Sequence, residues 1–299
     1  MSRLKSYILL SLVAAFWGFQ PSCVKWLLKA WSPVTIIGFR YILLSIILIS
    51  WSYYREREKM FPGPEDWFYL VSMGLLGVAL NNVLQFTALQ YTTVTNCTLI
   101  SATTPCLTAV VSVLLLRERL HPLVWLGIII SFLGVLTIVS KGSLVVLANI
   151  DFNRGDILAL LSQLAWTFYT LLGVRVTKRL SPMAVTGWSG IFGSFMVYMF
   201  GMVTGTFKVT SLQVEPLLSF LYILLLGGLY GMVAWNACSK AVGPSIASIF
   251  LNIMPVVGML AGFILFHEEI GFVQLFGAAA IICGVTLVTN YQRVVDHFK

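Results

Sequence analysis

The chain has 299 residues, 59% of them hydrophobic and 10% charged, with a mean hydropathy of +0.92 and a formal net charge of +8. Soluble domains carry about a quarter charged residues, and here residues 67–116 run for fifty positions without one Asp, Glu, Lys or Arg. The composition excludes an ordinary soluble domain and points to an all-α integral membrane protein.

Taken in chain order, the first apolar stretch (6–26) has the basic start of a signal peptide, but it has no A-x-A-like site and runs on through Lys25. It reads as a retained helix. Span 33–53 follows Ser32-Pro33 and contains Arg40. Spans 67–89 and 93–115 are divided by "QYTTVTN", a polar turn, and carry Asn81, Asn82, Gln85, Ser101 and Pro105. Spans 121–140, 155–176 and 182–205 follow, the middle one holding Gln163, Trp166 and Tyr169. Spans 215–238, 243–266 and 271–290 complete ten candidates, with Asn236, Asn252 and Pro255 in the eighth and ninth. Each approaches the twenty or so residues needed to cross about 30 Å of hydrocarbon.

Basic residues set the orientation, because cytoplasmic loops carry their excess. With the N-terminus inside, thirteen Lys and Arg lie on inner segments, among them Arg55, Arg117, Arg175, Lys178, Arg179 and Lys240, against five outside. Both termini are therefore expected in the cytoplasm. The same bias accounts for the positive charge without a nucleic-acid partner, since no basic soluble segment is present. The five cysteines are isolated and odd in number, so no disulfide framework is expected. His121, His267 and His297 lack metal-ligand spacing, and neither a metal nor a cofactor is expected. A membrane-embedded enzyme would need a nucleophile and base at one depth, which the spans do not offer.

Shifting the sequence on itself by 149 or 150 residues aligns Trp17 with Trp166, Ser32-Pro33 with Ser181-Pro182, and Gly77 with Gly227. It also aligns Pro105, Glu118, Gly127 and Gly134 with Pro255, Glu268, Gly277 and Gly284. The chain reads as a tandem repeat, residues 6–140 and 155–290, of five spans each. An odd number of spans inverts the second copy, which is the architecture of many alternating-access transporters.

"WGFQPSCVK" (17–25), Arg40, "ALQYTTVTNCTLISATTPCLTAVVSVLLLRERL" (88–120) and the Gly-rich last span resemble the EamA-type proteins of the drug/metabolite transporter superfamily. The resemblance covers the whole chain, although the second half has no lysine matching Lys25 and carries "FHEEI" in place of "LRERL". It implies two five-helix repeats around a central cavity, a place in the bacterial plasma membrane, and export of small metabolites, often amino acids or their relatives.

Within the spans the ionisable groups are one-sided. Arg40 lies seven residues past Pro33, about 10 Å along a helix, and no span has a carboxylate at mid-depth. An arginine at the bilayer centre costs about 2.5–3.5 kcal/mol on insertion scales. Two readings stand: Arg40 fixes the fold through backbone carbonyls, or it anchors a substrate carboxylate, helped by Lys25 if that residue faces the cavity rather than the interface. Trp17 and Trp166 lie too deep for the interfacial aromatic belt and should meet as repeat mates, either as core packing or as apolar walls of the pathway. Tyr169, Asn82, Gln85, Ser101, Asn236 and Asn252 would supply polar groups to that pathway. Pro105 and Pro255 would break helices near its centre. The expected activity is export of small zwitterionic or anionic metabolites; the alternative within transport is a sugar-phosphate or nucleotide-sugar exchanger, which would need several basic cavity residues.

Overall fold

The computed structural model of the protein describes residues 1–88, 91–92, 100–140, 142–143, 145, 153–210, 214–266 and 270–297. The turn expected at "QYTTVTN" lies mostly outside the described residues, as do Cys97, Lys141, His267, Glu268 and the side chain of Lys25.

The described residues are helical almost throughout. Helix α1 spans Arg3–Leu27 and α2 spans Pro33–Arg55. Helix α3 runs Asp66–Ala88 and α4 Thr104–Leu116, followed by α5 at Pro122–Ser140. Helices α6, Arg154–Val176, and α7, Pro182–Thr204, precede the long α8, Val214–Val242. Helix α9 begins at Pro244–Ile249, passes through a 3-10 turn at Phe250–Ile253 and continues as Met254–Phe266; α10 is Phe272–His297. Eight of these helices are long and apolar enough to cross a membrane, and Thr104–Leu116 is a shorter apolar helix. Large apolar side chains such as Leu114, Met202, Val203 and Phe276 stay at least 70% uncovered by protein. An apolar band of that kind needs hydrocarbon around it, and the chain is a multi-pass membrane protein.

Proline and serine start several helices for a local reason. Ser32 and Ser181 hold the same extended backbone, their hydroxyls accept from the amides of Thr35 and Ala184, and proline follows at the first helical position. There the missing N–H is no loss, because the first amides of a helix have no partner within it. Pro105 stands in the first turn of α4, and Pro255 follows the 3-10 turn of α9, so each falls where an α segment begins.

Helices pack through glycine. Helices α5 and α10 make the most extensive contact in the molecule. A methyl on Gly127 would lie 2.8 Å from the Gly284 carbonyl, and one on Gly134 would lie 2.6 Å from that of Gly277. The two helices therefore run antiparallel with bare backbones in contact, a close approach that only small residues permit. Helices α2 and α7 are also antiparallel: Gly38 faces Tyr198, Ser45 faces Gly190 and Ile49 faces Gly187. Helix α3 packs on α6 and α7, while α8 packs on α1 and α2.

The helix ends are joined by backbone bonds on both faces. On one, the Ser32 amide donates to the Lys208 carbonyl at 2.9 Å; on the other, the Ser181 amide donates to the Lys59 carbonyl at 3.0 Å. The second face also holds the ion pair of Arg179 with Glu65 at 2.6 Å, a bond from the Lys240 ammonium to the Thr177 carbonyl, and one from the Trp188 indole to the Met60 carbonyl at 3.0 Å.

Candidate functional site

Helices α3 and α8 are each interrupted midway by a π segment, Gly74–Leu80 and Ile223–Tyr230. A π turn shifts the hydrogen-bond ladder by one residue and frees carbonyls for other donors. In α3 the Asn82 amide takes up the carbonyls of Gly77 at 3.1 Å and Val78 at 2.9 Å. In α8 the Gly227 carbonyl accepts from the Trp17 indole N–H at 2.8 Å. The glycines also admit large neighbours, since a methyl on Gly77 would sit 2.2 Å from the Tyr169 ring and one on Gly227 would sit 2.2 Å from Gln20 Oε1.

Between these segments stands an aromatic cluster. The rings of Trp17 and Trp166 meet edge to face with centroids 5.3 Å apart, and Trp235 lies 5.5 Å from each. Tyr169 stacks on Trp166 at 5.1 Å. Trp17 precedes the end of α1 by ten residues, as Trp166 precedes the end of α6. At about 1.5 Å per residue, each ring lies roughly 15 Å from its helix end, near mid-bilayer. The Trp235 indole donates to Thr170 Oγ1 at 3.1 Å, while the buried Trp166 Nε1 has no partner among the described residues.

Two polar groups flank the indoles. Toward the Lys59 face, the Asn236 amide donates to the Tyr169 hydroxyl at 2.8 Å and to Thr186 Oγ1 at 2.9 Å; its own oxygen is buried and unpartnered among the described residues. Toward the Lys208 face lies Arg40, only 5% exposed. Its Nη2 donates to Gln20 Oε1 at 3.3 Å, its guanidinium stands 5.3 Å from the Tyr41 ring centroid, and its Nε has no partner among the described residues. The ion pairs found among the described residues belong to Arg179, with Glu65 and with Asp66, so Arg40 is a buried cation with no carboxylate against it.

The remaining polar residues named from the sequence are distributed along the bundle. Ser101 accepts from the Gln163 amide at 3.3 Å, and Gln163 in turn accepts from Thr104 at 2.8 Å. Asn252 donates to Ser131 at 3.0 Å with its own oxygen buried and unpartnered among the described residues. Asn82 is spent on its own helix, and Gln85 is half-buried on α3. Gln20 and Trp235 join the site although neither was singled out in the sequence. Trp235 has no aromatic repeat mate at 150 residues' distance, where Gln85 stands, and Gln20 is matched by the unlike Tyr169. A glutamine inside an apolar span was the signal that could have found the latter.

A cavity of about 560 Å³ opens on the Lys59 face between the ends of α3, α4, α6 and α9, lined by Glu65, Tyr69, Glu118, Arg175, Lys178 and Pro244 among others. Arg179 holds the Glu65 carboxyl below the usual carboxylate range by hydrogen bond and charge. Burial pushes the Glu118 carboxyl upward, partly offset by the hydroxyl of Ser245, which donates to it at 2.7 Å. The cavity and the Asn236 cluster share a face, with Arg40 beyond the indoles.

The sequence profile of the EamA-like transporter family matches the chain twice, over residues 4–140 and 153–290. An uncharacterized transporter of Archaeoglobus fulgidus is 27% identical over 290 residues, covering 97% of this chain and 99% of its own. The uncharacterized transporter YyaM of Bacillus subtilis is 26% identical over 297 residues, covering 98% and 96%. The uncharacterized inner membrane transporter YedA of Escherichia coli K12 is 25% identical over 277 residues, covering 91% and 87%. A solved crystal structure superposes with a TM-score of 0.80 at 15% identity over 98% of this chain and 99% of that one, which is a likeness of fold. A chain of apolar helices, matched by the profile in both halves and aligned almost end to end with relatives named transporters, is a member of the EamA-like transporter family.

Proposed function

We propose that the protein is a secondary transporter exporting small carboxylate-bearing metabolites, amino acids or related zwitterions and anions, by alternating access between two inverted repeats, residues 6–140 and 155–290. The observation that carries the substrate class is Arg40: a guanidinium buried at 5% exposure with no carboxylate among the described residues. A charge so placed is strongly disfavoured without a counter-ion, and a substrate anion supplies one. Trp17 and Trp166 then wall the pathway, with Tyr169, Asn236, Asn252 and Ser101 turned to polar groups of the cargo. Lys25 is a second basic group for the outer entrance, Asn82 and Gln85 shape α3, and Pro105 and Pro255 set the helix breaks.

Several contacts support the repeat reading. The Ser32 to Lys208 and Ser181 to Lys59 bonds are mates of each other, since Ser32 and Ser181, and Lys59 and Lys208, each stand 149 positions apart. The mates α2 and α7, and likewise α5 and α10, run antiparallel, as inversion requires. With ten crossings, both termini lie in the cytoplasm of a bacterial cell and the Glu65–Glu118 cavity is the inner mouth.

The test is mass spectrometry of the medium from cells expressing the wild type or equal membrane-inserted amounts of Arg40→Gln. Accumulation of a carboxylate-bearing compound outside only the wild-type cells is expected. Equal release by both would make Arg40 structural, and release by neither would remove export.

A further inference from the structure

We infer that Gln20 is a built-in competitor for the substrate's anionic group: its side-chain amide oxygen holds the Arg40 guanidinium provisionally and is displaced when a carboxylate binds. The inference rests on the reading of Arg40 as an anion site and adds the residue that sets its selectivity.

Three observations carry it. The contact is long for a charge-assisted bond, 3.3 Å from Arg40 Nη2 to Gln20 Oε1, whereas such bonds to carboxylates run nearer 2.7–2.9 Å. The Arg40 Nε, one edge of the fork that a carboxylate grips bidentately, is buried and has no partner among the described residues. One backbone carbonyl beside the guanidinium, that of Gly227, already accepts from the Trp17 indole at 2.8 Å.

The surroundings leave little freedom for a different arrangement. A methyl on Gly227 would sit 3.2 Å from Arg40 Nη2 and 2.2 Å from Gln20 Oε1, and one on Gly228 would sit 3.5 Å from Arg40 Nε. Gln20 and Arg40 thus lie against bare helix backbone, and exchange of one acceptor for another happens in a slot of fixed width. A neutral amide oxygen is a weaker partner than a carboxylate oxygen. It is strong enough to keep the empty guanidinium solvated, and weak enough for an anion to replace it. A glutamate at position 20 would be isosteric and would fill the slot permanently.

The experiment uses purified full-length protein in detergent, with intrinsic tryptophan fluorescence titrated by sodium acetate and, as the neutral isostere, acetamide. The proteins are the wild type, Gln20→Leu, Gln20→Glu and Arg40→Gln, each checked as a single folded species by size exclusion. Wild type is expected to saturate with acetate and not with acetamide. In Gln20→Leu the half-saturating concentration should fall about tenfold, because nothing must be displaced, while Gln20→Glu and Arg40→Gln should not saturate. Should Gln20→Glu fail to fold, Gln20→Leu and Gln20→Met decide the matter by the same shift. Equal titration of wild type and Gln20→Leu, or no saturable acetate binding by wild type, overturns the inference. If no carboxylate is exported yet acetate binding follows residue 20, the transport reading falls and this one stands. If export depends on Arg40 while the residue-20 variants bind alike, this one alone falls.

Discussion

Glu118 is held by opposing demands. Burial disfavours its charge and lifts its carboxyl above the usual range, while the hydroxyl of Ser245 on α9 favours the ionised form. An acid raised in the folded state contributes stability that is full below its unfolded value, about 4.3, and lost as pH rises through its folded value. Glu118→Gln, which keeps an acceptor for Ser245, is therefore expected to melt with the wild type near pH 4 and above it at pH 8. A difference independent of pH would show that ionisation of Glu118 does not set the stability. At the Asn236 cluster the stake is a buried amide: Asn236→Leu leaves the Tyr169 and Thr186 hydroxyls without their shared donor, at an expected cost of about 1–3 kcal/mol, read as a lowered melting temperature in detergent. Tyr169→Phe removes one bond of the two and should lower it less. At this scale the sequence was partly legible. Trp17 and Trp166 could be named as partners because they are repeat mates, and Arg40 stood out as a cation in an apolar run. Gln20 and Trp235 could not be ranked, since what distinguishes them is the neighbour each meets across the bundle, Arg40 for one and the indole pair for the other.

Single helices owe their limits to local chemistry that reads directly from the chain. Ser-Pro at residues 32–33 and 181–182 marked two starts, and both adopt the same cap. Ser32→Ala and Ser181→Ala should each cost about 1 kcal/mol, with similar falls in melting temperature; a loss at one alone would mean that the cap matters on only one face. The π segments were not legible. In α3 and α8 they coincide with glycines that lie against a side chain from another helix, Tyr169 in one case and Gln20 in the other, a fit of which period-3.6 patterning carries no trace. Gly77→Ala tests it: with a methyl 2.2 Å from the Tyr169 ring, overpacking should cost about 1–3 kcal/mol, and Tyr169→Ala in the same chain should recover much of the loss. The fourth span, read as 93–115, is helical among the described residues at 100–101 and, after a turn at 102–103, from Thr104 to Leu116. Pro105 stands in the first turn of the latter segment, where a proline interrupts no bond.

On the proposed inversion the molecule as a whole follows from summing odd numbers of crossings, and its orientation is expected from where lysine and arginine accumulate. Fluorescent reporters fused to either terminus are expected to shine in the cytoplasm, and a cysteine replacing Gly205 in the loop after α7 should react with an impermeant maleimide on intact cells. Reaction from the inside only would reverse the orientation. The two halves that the family profile matches could be paired in the sequence because marker residues recur at 149 or 150 positions. The contacts between halves could not be read there, because a sequence shows which residues are mates and not which mates touch. Those contacts are reciprocal: Ser32 leans on Lys208 as Ser181 leans on Lys59, and Gly127 lies on Gly284 as Gly134 lies on Gly277. A lone half would leave all of these surfaces open, with unpaired backbone amides at two helix starts. On the proposed inversion, what covers them is a second half facing the other way in the bilayer. Two halves so shaped should find each other without a covalent join, and on that reading a chain cut between residues 140 and 153 should reassemble from separately synthesised halves inserted in opposite orientations.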